Sequence, residues 1–270
     1  MNKVILGRIF LLLITLFNST ITGYFLLYGH IMLKNNFALL HFNGSQISLP
    51  GFQYIILFLG QTLIFFAVII QLKYHSKRIH ITDKFVVALI SFQLSSCCWF
   101  FTGFFILKLL AIISSATSMI CSMWVLQLLL HEKENIEILS KEDVILKKIF
   151  SLLNGAFCLA FSWFLIIVLL TVNNSIFHSL QTSKIWILSY SLVILLMLNY
   201  IGSVAVLYYK KNMIMASIIF LEIGLLLHFI DNSIIMNFIV IAILLNCFIL
   251  YLCKDKKHRL KTLLETQFSE

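Results

Sequence analysis

The chain has 270 residues, of which 61% are hydrophobic, 14% aromatic and 11% charged, with a formal charge of +9. Soluble domains average about 45–50% apolar and about 25% charged residues, so the polar surface here cannot cover a water-soluble globule. A mean hydropathy of +1.00 excludes disordered chains, collagens and secreted disulfide scaffolds as well. The composition is that of an all-α, polytopic integral membrane protein.

A bilayer core of about 30 Å takes about 20 residues of apolar helix at 1.5 Å per residue. Eight runs approach or exceed this length: Val4–Leu33, Gly51–Leu72, Phe85–Ile106, Leu109–Leu130, Ile149–Val172, Ile185–Tyr209, Met213–Ile230 and Ile234–Cys253. A barrel would show alternation, whereas these runs are apolar on every face. The third and fourth runs are separated near Gly103–Lys108, and the last two at Asp231, Asn232 and Ser233, which favour turns. The first run follows Lys3 and overlaps Arg8, as a signal peptide would, but it is too long and lacks a small-residue cleavage pattern. It reads as a retained anchor.

Orientation follows the Lys/Arg bias of short loops. With the N-terminus cytoplasmic, the inner side holds all the Lys and Arg residues but Lys34, Lys108 and Lys184, out of 20. Adding or dropping a span in mid-chain would destroy that bias. Eight spans with both termini cytoplasmic are therefore expected, and the positive charge suits anionic lipid rather than nucleic acid. The expected partners are membrane lipids and other membrane subunits.

Between the halves, His131–Lys148 mixes acids and lysines, and Ser140 with Asp143 resembles a capping box for the fifth helix. Residues 254–270 form a basic tail with Leu260, Leu263, Leu264 and Phe268 at helical spacing, which predicts an amphipathic helix on the inner leaflet. Loop lengths repeat between the halves, a pattern compatible with a parallel four-plus-four repeat. No residue-level match accompanies it, and coincidence is the slightly favoured reading.

The six cysteines lie in spans or at their inner ends, with neither disulfide nor zinc spacing. Cys253 abuts the basic tail and is a candidate for lipidation. The sequons at Asn43 and Asn173 fall in predicted outer loops and are candidates for glycosylation. No metal ligands, cofactor motif or catalytic motif stand out, so an enzyme is disfavoured and no cofactor is expected.

Polar groups inside the spans carry what functional signal there is. Glu222 is the one carboxylate well inside a run, and burial there favours the neutral acid unless a cation is near. It is the candidate coupling or substrate-orienting group; the competing reading is a neutral acid bonded to an Asn or Ser of a neighbouring helix. His228 and Asp231 share a helix face near the outer end, about 240° around from Glu222 for His228. Asn154 and Asn199 are secondary candidates, within polar sets at i, i+3 or i+4 that also include Asn18 with Thr22, Gln93 with Ser96, and Ser114 with Thr117 and Ser118. Such stripes form helix interfaces, or a pathway if they converge. The leading expectation is a small permease or transport component. A non-catalytic subunit or scaffold comes next, and a lipid-modifying enzyme last.

Overall fold

The computed structural model describes residues 3–35, 54–73, 83–104, 108–138, 144–177, 184–209, 211–228 and 233–267. They form eight α-helices and, among the described residues, no strand: α1 (Lys3–Asn35), α2 (Tyr54–Lys73), α3 (Asp83–Phe104), α4 (Lys108–Ile138), α5 (Val144–Phe177), α6 (Lys184–Tyr209), α7 (Asn212–His228) and α8 (Ser233–Gln267). Without water in a bilayer core the backbone must satisfy its own N–H and C=O groups, and continuous apolar runs do so as helices. Six helices are long and apolar enough to cross a membrane. The apolar stretches Tyr54–Ile70 and Asn212–Leu227 are shorter; the 17-residue α7 rises only about 25 Å, near the lower limit for a span.

Three helices outrun their apolar segments. α4 continues to Ile138 through the Glu/Lys-rich stretch, α5 begins at Val144, and α8 continues to Gln267. The basic tail is thus the continuation of α8 and not a separate helix, because Lys, Glu, Leu and Arg propagate a helix as readily as apolar residues do. The Ser140–Asp143 capping box lies outside the described residues.

The bundle is built around α5, which packs against α2, α4, α6 and α7. Its span Lys147–Val172 is 78% buried, against 22% for Ile234–Cys253 of α8. Hydropathy alone does not separate them; ring packing does. Phe157 and Phe164 of α5 meet Phe92 of α3 at centroid separations of 4.9 and 5.9 Å, and Trp163 meets Tyr54 of α2 at 4.9 Å. Leu244, Leu245, Phe248 and Tyr251 of α8 face outward, as lipid contact allows.

Between apolar helices, association in lipid rests on close packing, which small residues permit. Gly60 of α2 lies against Ala156 and Ala160 of α5: a Cβ there would sit 3.3 Å from the Ala156 carbonyl oxygen. That neighbour is backbone and cannot swing away. Gly60→Leu is expected to destabilise the bundle by about 1–3 kcal/mol by prising α2 from α5. Gly7→Leu, at a position with nothing within 4 Å, is the control and should leave stability unchanged. Unfolding in mixed detergent micelles measures both.

Candidate functional site

Glu222 lies midway along α7 and is fully buried. Both of its oxygens are held by amides from other helices: Asn199 Nδ2 of α6 donates to Oε1 at 2.9 Å, and Asn246 Nδ2 of α8 donates to Oε2 at 2.8 Å. The acid therefore joins α6, α7 and α8 at one level. α6 and α7 meet beside it at Gly202, where a Cβ would displace the Ile218 Cδ1 methyl of α7. Gly202 is three residues from Asn199 and Ile218 four from Glu222, so both sit one turn from that bond.

Asn199 and Asn246 are held differently. Asn199 Nδ2 also donates to the Leu195 carbonyl oxygen at 2.7 Å, which fixes the orientation of its amide. Among the described residues, Asn246 Nδ2 bonds Glu222 alone. The Oδ1 atoms of both are buried and meet no donor among the described residues. Acceptors left open at this depth are costly, by about 1–3 kcal/mol each. Each can accept a hydrogen bond from an N–H or O–H donor.

A second polar row joins α1, α2 and α3. Asn18 Nδ2 donates to the Gln93 side-chain oxygen Oε1 and to the Gln93 backbone oxygen, the latter at 2.9 Å. Gln93 Nε2 donates to Gln61 Oε1 at 2.8 Å, and Gln61 Nε2 reaches Ser96 Oγ at 3.4 Å. All four residues are buried. Alongside, Ser118 of α4 donates to Ser95 of α3 at 2.9 Å.

The polar stripes therefore divide between two centres and do not converge on one. Thr22 and Ser203 turn back to their own helices, bonding the carbonyls of Asn18 and Asn199. Asn154 is half-buried on α5, with Oδ1 unpartnered among the described residues, and bonds to none of the Glu222 cluster. His228 ends α7, and its side chain, like Asp231, Asn43 and the Asn173 side chain, lies outside the described residues. The backbone at Asn173 is helical, four residues before the end of α5 at Phe177, and so does not lie in a loop. Cys253 is half-buried, and the six cysteines are free thiols.

Three buried groups, two of them in these centres, escape a reading by stripes. Asn246 and Gln61 each stand among apolar residues, with no polar neighbour three or four positions away. Arg8, counted above toward the inner charge, is 2% exposed inside α1 and belongs to the bundle interior. Only its depth in the fold reveals this. No group of His, Cys, Asp or Glu among the described residues could hold a metal ion. An open cleft of about 500 Å³ lies between Trp124, Gln127 and His131 of α4 and Tyr208 of α6. Tyr208 is nine residues, about 13 Å, along α6 from Asn199, so this cleft does not reach the acid.

Compared with known proteins, the chain matches no family model, no curated protein and no solved structure.

Removing one member of the cluster should cost more than removing all of it, because the cost lies in the group left unpaired. Asn246→Leu or Asn199→Leu is expected to lower stability by about 1–3 kcal/mol. Adding Glu222→Leu and the second Asn→Leu change should recover most of that loss. A double-mutant cycle in micelles reads the non-additivity.

Proposed function

We propose that this multi-pass membrane protein is a small permease or transport component in which Glu222 is the coupling or substrate-orienting group. The observation that carries the reading is a fully buried acid bracketed by two amides whose own acceptors are left open. A purely structural tie between three helices needs no ionisable group, as the neutral row of α1–α3 illustrates, and intramembrane acids are costly enough to be rare without a role. The cluster offers donors to an ionised carboxylate and acceptors to a neutral one or to a ligand N–H or O–H. Such a site can take up a proton or small polar solute and release it when the surrounding helices part.

α7 is suited to that movement. It is the shortest of the described helices, and its first turn is closed by Ile214 N–H donating to the Lys211 carbonyl at 3.2 Å. It packs on α5 through Ser162, whose hydroxyl donates to the Ile214 carbonyl at 3.1 Å.

The scaffold reading has its own support in α8, whose apolar outer face is broad and whose helix continues into a basic segment. Transport assays separate the two. Proteoliposomes on a solid-supported membrane, held under a tenfold proton gradient, would be challenged with small organic anions, cations and neutral polar solutes. At least one solute is expected to evoke charge movement that falls tenfold or more with Glu222→Gln. Equal currents with Glu222→Gln, or none from any solute class, would favour the scaffold.

A further inference from the structure

The two polar centres stand in corresponding places. α1 packs on α2 and α3, and α3 on α4; α5 packs on α6 and α7, and α7 on α8. Gln93 lies ten residues past the first residue of α3 (93 − 83), and Glu222 ten past the first residue of α7 (222 − 212). Each bonds the amide of the preceding helix, Gln93 to Gln61 and Glu222 to Asn199. The fourth helix of each half ties in at the same level, Ser118 to Ser95 and Asn246 to Glu222. The first helix of each half reaches a backbone carbonyl of the third, through Asn18 to Gln93 and Ser162 to Ile214. That last pair differs in height by about two turns. The others agree to within about one turn.

One difference between the halves is chemical. The Gln93 side chain donates one hydrogen bond and accepts another, as a protonated carboxyl group does. Glu222 accepts two, as an ionised one does. We propose that Glu222 and Gln93 are the same position of a four-helix unit present twice in parallel, and that Glu222, once protonated, takes up the donor-and-acceptor pattern that Gln93 holds permanently, with the Asn246 amide turned to accept its proton.

The geometry selects Asn246. Turning the Asn199 amide would replace its bond to Leu195 with two facing oxygens, whereas turning Asn246 by 180° exchanges its single N–H bond for an O–H bond. A proton from the aqueous phase bonds to Oε2; the Nδ2–H···Oε2 contact opens, and Oε2–H donates to Oδ1. The site gains one proton and loses its negative charge, and no other covalent bond changes. Asn246 is thus a positioning residue. Described titratable groups on the helices packed against α7 are Lys147, Lys148 and Cys158 of α5, Tyr200, Tyr208 and Tyr209 of α6, and Cys247, Tyr251 and Cys253 of α8. Glu222 bonds the two amides and none of these groups, and Lys211 immediately precedes α7.

The inference rests on Glu222 as a proton site, and infrared spectroscopy of the full chain in liposomes tests the two separately. With asparagine carbonyls isotope-labelled, the acid-minus-alkaline difference spectrum should contain one carboxyl band and one asparagine carbonyl band. Glu222→Gln should abolish both. Asn246→Ser, which keeps a hydroxyl able to donate and accept, should retain the carboxyl band and lose the asparagine band; Asn199→Ser should retain both. In Gln93→Glu, the acid at position 93 meets Gln61 Oε1 and should stay protonated across the range in which Glu222 titrates. A wild-type carboxyl band without an asparagine band overturns the turning amide and leaves the proton site standing. Absence of the carboxyl band overturns both, and an asparagine band that survives Asn246→Ser assigns the movement elsewhere and overturns the proposal. Titration of the acid at position 93 together with Glu222 overturns the correspondence of the halves.

Discussion

The arrangement around Glu222 depends on one constraint: a carboxyl group in the middle of a bundle has no water to bond and must be met by other helices. Two amides meet it, and they come from α6 and α8, so a single side chain sets the level at which three helices stand. Gly202 leaves room for the Ile218 side chain of α7 beside it. The lipid-facing character of α8 is compatible with this, because only one stripe of the helix, including Ile235, Ile239, Ala242 and Asn246, is buried. Satisfying the acid and packing the helices are the same act here.

The other half solves the equivalent problem with neutral groups. Gln93, Gln61, Asn18 and Ser96 form a row in which most donors have acceptors, and the same level of the bundle is held without ionisable chemistry. The neutral row leaves one buried acceptor open, Asn18 Oδ1, and the acid centre two, on Asn199 and Asn246. A row of amides can be tied as tightly as the one in α1–α3, and the acid centre is the less completely tied of the two.

Much of this was legible in the chain itself. Hydropathy located eight apolar runs, and Glu222 was recognisable as the carboxylate within one of them. Asn199 carried a signal because Ser203 shares its stripe. Asn246 carried none, since Ala242, Ile243, Ile249 and Leu250 surround it along the helix and an isolated amide has no periodicity. Gln61 was hidden in the same way, and Arg8 by its closeness to the charged start of α1. The apolar runs of α4 and α8 coincide with their membrane-crossing stretches, and both helices continue beyond them because hydropathy marks where lipid ends, whereas helix propensity continues through Glu, Lys and Leu. Repeated loop lengths hinted at a parallel repeat, but the correspondence rests on which residues bond across helices, and spacing along the chain does not contain that.

If Glu222 is a coupling group, it exchanges its proton with water from a fully buried position. Labelling with dicyclohexylcarbodiimide across pH, read by mass spectrometry on the protein in liposomes, tests it most directly, since this apolar reagent attacks the protonated carboxyl. Modification at Glu222 is expected to be strong at acid pH, to fade as pH rises and to be absent in Glu222→Gln. Modification independent of pH, or none at any pH, would contradict it and leave the acid as a fixed tie between helices.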